Sequence, residues 1–460
     1  MRYILNPDIA LRSWRMVPYA YYVRGNTFAK GLKKDEFEIM LSCDGKTEIE
    51  ESAVLRELLM KSLIKPCEGE ESLSEWQRYR HCDNRYFPRI NWMITGKCNY
   101  NCRHCFNAVD NAPLMSEWTL EEAVRLLEEA KACGVNAFTI TGGEPMLHSH
   151  FFELLEEIYK RDMFVDELNT NGYFINRQIL DRMLQLNIRP TIKISFDGIR
   201  HHDWLRNRKG AEQDALRAIK LCLERGFKVM VQTNVHRGNL DTLLETAKLL
   251  DSLGVKTMRM IRTTEAPRWA QNGGDATLEI TEYYDRMLDF AVQYMQTGCS
   301  MRIIIWQFMH LFPMTGSYSI VPVLYNKNQY RDTAPVCKGA RGMVAIAANG
   351  NVFPCHQMSG YSEKYEDVFD NVKSISLQAL LQDSKYLCEV CMTVDKIREH
   401  DSKCGSCSYF RYCAGGCRAI AWGLTGDKLA ADPSKCMFFE GGYYERIVEA
   451  MGSLHNLSEI

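Results

Sequence analysis

The stretch Trp92-Met-Ile-Thr-Gly-Lys-Cys98-Asn-Tyr-Asn-Cys102-Arg-His-Cys105-Phe106 places a CxxxCxxC run directly after an apolar, strand-like segment. Three thiolates at these spacings can hold three irons of a cubane [4Fe–4S] cluster, because cysteine is the soft ligand that such clusters need. The fourth iron then has no protein ligand and is open to chemistry. We call Cys98, Cys102 and Cys105 the CxxxCxxC cysteines.

Length and charge limit the classes of protein that this chain can represent. Its 460 residues suffice for several domains and a large buried core. The formal net charge is −2, and no basic stripe indicates a nucleic acid partner. The first residues lack the pattern of a signal peptide, and there is no apolar run of about 18 residues. We therefore expect a cytoplasmic protein that binds neither nucleic acid nor membrane.

The cysteine content indicates metal binding. Eighteen cysteines in a chain without a secretion signal argue against a disulfide scaffold, because the cytosol keeps thiols reduced. Iron–sulfur ligation accounts for about ten of them. The others that stand singly are expected to be small buried hydrophobic residues, namely Cys43, Cys67, Cys82, Cys133, Cys222 and Cys299.

A repeating strand-then-helix pattern occupies the middle of the chain. The predicted strands are Arg89–Thr95, Asn136–Thr141, Val165–Asn169, Thr191–Ser195, Lys228–Thr233 and Thr257–Ile261. The clearest helix follows Thr119 as N-cap and ends at Gly134. Six such units predict a parallel sheet with helices outside, with its chemistry on the loops after the strands. The residues that fall there are Cys98, Gly142, Asn171, Asp197 and Asn234.

The segments on either side of this pattern differ from it. In the first 80 residues we predict a hairpin turning at Gly25-Asn26 and helices over 35–43 and 48–64. Residues 266–335 are apolar and aromatic, and we predict helices that bridge two domains.

A second group of cysteines lies near the C-terminus. It comprises Cys404-x2-Cys407-x5-Cys413-x3-Cys417 and Cys436, preceded by Cys337 and Gly350-x4-Cys355. A structural zinc ribbon needs only four cysteines, whereas seven can build two multinuclear sites.

Together with Gly142-Gly143-Glu144-Pro145 and Phe106, the CxxxCxxC run resembles the radical S-adenosylmethionine (SAM) enzymes. The resemblance implies an α/β fold, a partial (β/α)6 TIM-like barrel over 86–265. It also implies that the free iron chelates SAM and that the cluster reduces it to a 5′-deoxyadenosyl radical, which abstracts hydrogen from the substrate.

The same resemblance assigns residues to SAM. Gly142, Gly143 and Glu144 would bind its amino group. Ser195 in Ser-Phe-Asp-Gly and Arg206 in His-Asp-x-x-Arg would meet its ribose and carboxylate, with Arg208 as a rival to Arg206. The remaining residues implied at SAM are Phe106, with its backbone at adenine, and Thr233 and Asn234, which would close the adenine pocket.

The C-terminal cysteines resemble the SPASM extension of radical SAM enzymes, which here would span 336–460. Two auxiliary [4Fe–4S] clusters are implied, so three clusters in all. Cys404, Cys407, Cys413 and Cys436 would hold the second auxiliary cluster. Cys337, Cys355 and Cys417 would hold the first, for which Cys388 or Cys391 supplies a fourth ligand or the iron stays open to a substrate thiolate or water.

Residues 1–85, with Cys43-Asp44-Gly45-Lys46-Thr47 and a closing Leu58–Ile64, resemble the winged-helix-like, PqqD-like domain that recognises the leader of a ribosomally made precursor peptide. A small cap that only stabilises the barrel is the alternative. The leader would add as a strand to a sheet edge. The resemblance implies a peptide maturase that forms a thioether or carbon–carbon cross-link, with the precursor peptide and a reductant such as flavodoxin or ferredoxin as partners.

Two rival functions remain at this point. An anaerobic sulfatase-maturating enzyme shares barrel and SPASM domain, but it has a catalytic Asp directly after the GxxxxC cysteine, where this chain has His356. A non-catalytic iron–sulfur electron carrier has no need of an open iron.

Overall fold

The structure is a computed structural model that describes residues 1–69, 71–105, 115–263, 267–326, 328–337, 342–359, 369–458 and 460. Phe106 lies outside the described residues. Within these ranges, no helix has the length and apolar character needed to cross a membrane.

The N-terminal unit consists of two small sheets and two helices. Its elements are β1 (Arg2–Leu5), β2 (Ile9–Trp14), β3 (Val17–Val23), β4 (Lys30–Gly31), α1 (Lys34–Ser42), β5 (Asp44–Glu48), α2 (Ala53–Met60), β6 (Ile64–Cys67) and β7 (Arg80–Cys82). One sheet has the order β5-β1-β6 and the other β4-β3-β2-β7. Leu11, Phe37 and Leu55 belong to a buried cluster of this unit's own.

The helix predicted over 35–43 is confirmed by α1, whereas the one over 48–64 is wrong at both ends. Its middle is helical, and the Ser52 side chain caps α2 by accepting a hydrogen bond from the Leu55 amide at 3.1 Å. The flanking residues instead form β5 and β6, which both pair with β1. Pairing with a distant strand satisfies their backbone groups in a way that the local sequence pattern does not reveal. The turn predicted at Gly25-Asn26 lies between β3 and β4.

The barrel follows. Its strands are β8 (Arg89–Thr95), β9 (Ala137–Gly142), β10 (Phe164–Thr170), β11 (Thr191–Ser195), β12 (Val229–Val235) and β13 (Thr257–Arg262), and its helices are α3 (Leu120–Ala132), α4 (Phe151–Lys160), α5 (Arg177–Gln185), α6 (His202–Arg206), α7 (Ala211–Glu224) and α8 (Leu243–Leu253). All six strands are parallel to their neighbours and confirm the prediction to within one or two residues. Thr119 forms the predicted N-cap of α3 in a capping box with Glu122.

The barrel strands continue into a 12-stranded sheet. The added elements are α9 (Pro267–Asn272), α10 (Ile280–Met295), β14 (Arg302–Ile305), β15 (Met309–Phe312), β16 (Ser317–Ile320), β17 (Met343–Ile346), β18 (Val352–Phe353) and, at the C-terminus, β19 (His455–Asn456). β14 is parallel to β13, β15 and β16 follow antiparallel, and β19 pairs with β16. At the other edge, β17 pairs in parallel with β8.

This arrangement corrects the prediction for residues 266–335, which is right for α10 but wrong for 301–312. That segment forms β14 and β15. Ile303 and Ile305 are fully buried while Ile304 between them is only partly so, which is the alternation of a strand with one buried face. The β-branched run favours a strand.

Short helices make up the rest of the C-terminal part. They are α11 (His356–Ser359), α12 (Leu377–Gln382), α13 (Lys385–Val390), α14 (Val394–His400), α15 (Ser402–Ser406), α16 (Phe410–Cys413), α17 (Arg418–Thr425), α18 (Pro433–Glu440) and α19 (Tyr443–Met451). Phe438 and Tyr443 pack against Tyr284 of α10, with ring centroids 5.6 and 5.0 Å apart. The C-terminal part therefore shares a core with the barrel.

The N-terminal unit contacts the barrel at the turn between α3 and β9. Trp14 Nε1 donates to the Cys133 carbonyl and the Tyr22 hydroxyl to the Gly134 carbonyl, both at 3.0 Å. Gly134 has φ +76°, and a Cβ there would lie 2.7 Å from Trp14 Nε1. Turns that precede parallel strands lie at the face opposite their C-terminal ends. The unit is therefore attached at the face opposite the CxxxCxxC cysteines.

Candidate active site

The CxxxCxxC loop and the Gly-Gly-Glu-Pro segment lie against each other. The Gly143 amide donates to the Thr95 carbonyl and the Glu144 amide to the Lys97 carbonyl, both at 2.8 Å. A Cβ on Gly142 would lie 2.4 Å from the Thr95 oxygen, and one on Gly143 would lie 2.3 Å from the Lys97 oxygen. Only glycine permits this approach, so the two motifs form one structure.

Glu144 carries a buried carboxyl group two residues after the end of β9. Its oxygens accept hydrogen bonds from the Thr170 hydroxyl at 2.9 and 3.0 Å and from the Asn171 amide at 2.9 Å. Burial raises the pKa of Glu144 to about 7, although these donors oppose the rise. The side chain is thus held in one position where its carboxylate can accept hydrogen bonds from an ammonium group.

The CxxxCxxC cysteines lie beside this carboxyl group. The Cys98 thiol accepts a hydrogen bond from the Tyr100 amide at 3.4 Å, and it lies close enough to Cys102, Glu144 and Arg206 to interact electrostatically with them. Burial raises the pKa of Cys98 to about 11. Loading such a site with metal must therefore displace thiol protons.

The CxxxCxxC cysteines offer three thiolates, the ligand type that holds iron–sulfur clusters. Within the part of the chain that the structure describes, no three His, Cys, Asp or Glu side chains are grouped as a single metal ion requires.

Asp197 organises the neighbouring part of the rim. It accepts from Arg206 Nε at 2.6 Å and Nη2 at 3.0 Å, lies 3.1 Å from His202 Nδ1, and accepts from the Asn234 amide at 2.9 Å. Burial opposes ionisation of Asp197, but Arg206 and His202 outweigh it and hold the pKa of Asp197 well below its usual range. The carboxylate is therefore charged and serves as the buried partner of Arg206.

Several residues predicted to bind SAM thus have partners within the protein. Arg206 forms the ion pair with Asp197, and its Nη1 lies 4.0 Å from the Cys102 sulfur. Thr233 is fully buried and donates to the Phe196 carbonyl at 2.7 Å. The rival Arg208 stacks on Tyr100 and Tyr173 instead, 4.7 and 4.2 Å from the ring centroids.

The structure brings the predicted residues of the rim together at the C-terminal ends of β9 to β12. Gly142 ends β9, Ser195 ends β11 and Asn234 lies near the end of β12. Ser195 pairs across the strands with Gln232. Their contacts with SAM remain predictions.

The C-terminal cysteines fall into the two predicted sets. Cys355 and Cys417 are close enough to each other and to Cys337 to interact electrostatically. The other four line one cavity, together with Asp432 and Lys435; they are Cys404, Cys407, Cys413 and Cys436. Burial raises the pKa values of Cys404 and Cys413 to about 12. Both sets fit a thiolate-ligated cluster, and their ligand roles remain predictions.

Sequence reasoning missed a charged inner face of the barrel. Lys193 of β11, between the fully buried Ile192 and Ile194, forms an ion pair of 2.5 Å with Glu167 of β10. Arg259 of β13 stacks on Trp306, 4.2 Å from the ring centroid. Across the described ranges Arg259 makes no ion pair, and burial lowers its pKa. The sequence signal that could have revealed this face is Lys193, a lysine in the middle of the apolar strand Thr191–Ser195.

His356 adjoins this inner face. Its Nε2 is buried and has no hydrogen-bond partner in the described structure. Burial lowers the pKa of His356 to about 4, and the nearby Lys193 acts in the same direction. The ring is therefore neutral and faces the Lys193–Glu167 pair.

Comparison with known proteins agrees with this geometry. Residues 92–250 match the radical SAM superfamily and residues 337–408 match SPASM, an iron–sulfur cluster-binding domain. The chain is 26% identical to the AdoMet-dependent heme synthase of Methanosarcina barkeri, covering 77% of this chain and 97% of the relative. It is 24% identical to the PqqA peptide cyclase of Granulibacter bethesdensis, covering 78% and 90%.

A protein of known structure matches nearly the whole chain. It is Streptococcus suis SuiB bound to its precursor peptide SuiA, with a TM-score of 0.65, 14% identity and coverage of 94% of this chain and 99% of SuiB. The fold is shared along its length. The two family matches and the named relatives define the class: the chain carries a radical SAM domain and a SPASM domain and is an enzyme of the radical SAM type.

Proposed function

We propose that this enzyme is a maturase that forms a thioether or carbon–carbon cross-link in a ribosomally synthesised precursor peptide. The observation that carries the proposal is the N-terminal unit. The match with the heme synthase covers 97% of that protein but only 77% of this chain. Nearly a quarter of this chain is therefore unmatched. SuiB covers 94% of the chain. The difference is about the size of residues 1–85, and this agreement in size supports peptide recognition over a barrel-stabilising cap.

Strand addition requires a sheet edge with open backbone groups. The β6 edge carries Pro66, which lacks a donor. On β5, the Lys46 and Thr47 amides already donate to the Asp44 carboxylate at 2.8 Å. On the third edge, β7, Arg80 is directed to the barrel, where it donates to the Lys131 carbonyl.

The fourth edge, β4, is the most suitable for a leader strand. Lys30 and Gly31 are exposed, and a Cβ on Gly31 would meet no atom within 4 Å. The Leu32 amide donates to the Tyr19 carbonyl of β3 at 3.0 Å, so the Gly31 amide points away from β3, because amides alternate along a strand. Lys30 and Lys33 are exposed beside this edge, and Lys34 next to them pairs with Glu38 at 3.7 Å. The excess of positive charge favours an acidic leader.

Leader and reacting residues would then occupy opposite faces of the barrel. The seven-residue β8 spans the distance between these faces, which is about 20 Å at roughly 3.3 Å per residue. An extended peptide needs at least about six residues to cover it. We therefore expect a spacer of at least that length between the leader and the modified residues.

The chemistry would come from the bound groups. A cluster on the CxxxCxxC cysteines and SAM would together supply the hydrogen-abstracting radical, and a reductant such as flavodoxin or ferredoxin the electron. Glu144, Ser195 and Asn234 would orient SAM at the rim. The Asp197–Arg206 pair would fix the loop that carries Cys102. Two auxiliary clusters on the C-terminal cysteines would complete a set of three.

The test uses the reconstituted holoenzyme with SAM, a reductant and the peptide encoded beside its gene. A cross-link removes two hydrogen atoms from the peptide, one to 5′-deoxyadenosine and one as a proton with release of an electron. Mass spectrometry should therefore find a product lighter by two hydrogens, together with 5′-deoxyadenosine. A peptide that remains unchanged while SAM is cleaved would contradict the proposal.

A matched pair of variants tests the leader edge. Gly31→Pro removes the open amide and should weaken peptide binding about fivefold, since one backbone hydrogen bond contributes roughly 1 kcal/mol. Gly31→Ala keeps the amide and fills only open space, so its binding should be unchanged. Equal binding by both variants, measured by fluorescence anisotropy of a labelled peptide, would exclude this edge.

A second candidate is supported by the heme synthase relatives and by Arg259. Porphyrins carry carboxylates, and a partly buried guanidinium without an ion-pair partner in the described structure suits such a group. Deletion of residues 1–85 distinguishes the two candidates: it should abolish modification of a peptide and leave conversion of a porphyrin intact.

A further inference from the structure

Two short paired segments bring a second cysteine close to Cys337. Pro335 and Thr393 form an antiparallel bridge. The Val336 amide donates to the Met392 carbonyl at 3.0 Å, and the Val394 amide donates to the Ala334 carbonyl at 2.9 Å. These contacts share one register.

The two cysteines lie where this pairing ends. Cys337 directly follows Val336 and Cys391 directly precedes Met392, so the hydrogen bond between Val336 and Met392 brings the two positions close together. Cys391 itself has φ −98° and ψ 1°, the C-cap conformation of α13, so the strand-like pairing stops before it.

Tyr386 provides an independent indication of the same neighbourhood. This buried side chain donates to the Met343 carbonyl at 2.8 Å. Its phenol lies close enough to Cys391, Cys337 and Cys355 to interact electrostatically with all three. Cys391 thus lies with two of the three cysteines of the first auxiliary set, and Cys355 in turn lies beside Cys417.

We propose that Cys391 is the fourth protein ligand of the first auxiliary cluster, with Cys337, Cys355 and Cys417. Four cysteine thiolates are the usual ligand set of a [4Fe–4S] cluster. The set is assembled from a segment before β17, the start of α11, the start of α17 and the C-terminal end of α13. With all four irons ligated, no iron of this cluster is open to a substrate thiolate.

The other candidates near this site are directed elsewhere. Cys388 is exposed, one helical turn before Cys391 on α13. His356 follows Cys355 directly, but its ring interacts with Lys193 and Glu167 on the inner face of the barrel. Cys388 therefore serves as a control that matches Cys391 in chemistry and sequence neighbourhood.

The experiment counts iron in a chain that carries only auxiliary clusters. In a background with all three CxxxCxxC cysteines replaced by alanine, Cys391→Ala and Cys388→Ala are reconstituted anaerobically without substrate. Iron and sulfide are then measured, with Mössbauer and electron paramagnetic resonance spectra. We expect Cys391→Ala to lose about one to four irons per chain and to show a [3Fe–4S] signal when oxidised, with Cys388→Ala unchanged.

Two further measurements keep the test decisive if Cys391→Ala does not fold. Cys391→Ser retains an oxygen ligand of similar size, so it should keep its iron but change the spectrum of one cluster. A small thiol such as 2-mercaptoethanol should restore the lost iron in Cys391→Ala and leave the spectra of the parent background unchanged. Unaltered spectra in both Cys391 variants, iron loss in Cys388→Ala, or a thiol-induced change in the parent background would overturn the assignment.

Discussion

The buried carboxyl group of Glu144 predicts a specific pH dependence of SAM binding. Its pKa in the SAM-free protein is raised to about 7 by burial. A carboxyl group with that pKa is about one-tenth ionised at pH 6 and about nine-tenths ionised at pH 8. If the ionised carboxylate accepts hydrogen bonds from the amino group of SAM, the association constant for SAM should rise about tenfold from pH 6 to pH 8.

The measurement must separate this effect from titration of the SAM amino group itself. We therefore compare the holoenzyme with Glu144→Gln, which keeps the shape of the side chain and does not titrate. The ratio of the two SAM dissociation constants, determined by anaerobic equilibrium dialysis, cancels every contribution common to both proteins. That ratio should change about tenfold between pH 6 and pH 8.

A third variant tests the cause of the shift. Thr170 donates to both oxygens of Glu144, and these hydrogen bonds lower its pKa. Thr170→Val removes the donor at similar volume, so the rise in affinity should move to higher pH. A ratio that is independent of pH, or a profile that Thr170→Val leaves in place, would refute the assignment of Glu144 to the SAM amino group.

Three further predictions concern other parts of the site. Replacing all three CxxxCxxC cysteines by alanine should abolish 5′-deoxyadenosine formation, measured by liquid chromatography, while the auxiliary clusters still load; continued SAM cleavage would contradict the assignment. Asp197→Ala should lower the free energy of unfolding, measured in urea, by about 3–5 kcal/mol because it leaves Arg206 buried without its partner. The control is Asp214→Ala, which removes the more exposed ion pair with Arg208 and should change that free energy by about 0–1 kcal/mol. Arg259→Gln should raise the KM for substrate and leave uncoupled SAM cleavage unchanged; an unchanged KM would remove Arg259 from substrate recognition.

Much of the fold could be predicted because local and global preferences agree in the barrel. Each barrel strand is a short β-branched or apolar run, and the following helix has its own cap, as Thr119 shows for α3. The local sequence pattern predicted the wrong element over 48–64, where pairing with a distant strand decides the structure. β5 and β6 lie about 40 and 60 residues away from their partner β1, beyond the range of a local periodicity.

The candidate site shows the same division. Gly142, Gly143 and the cysteine spacings could be identified from the sequence because the chemistry requires those residue types in that order. The partners of Arg206 and Arg208 could not be identified in this way. Sequence alone does not show that Asp197 pairs with Arg206 or that Arg208 stacks on tyrosines. The position of Cys391 also depends on the pairing of Pro335 with Thr393, which no spacing rule contains.

The strands that complete the edges of the large sheet have a consequence for biosynthesis. β17 covers β8 at one edge, and β19, within the last six residues of the chain, pairs with β16 at the other. Both are translated after the barrel. A nascent or truncated chain would therefore expose two unpaired edges, which are templates for aggregation. Shortened versions of this protein should be made from the N-terminal side, and a tag should be placed there rather than beside β19.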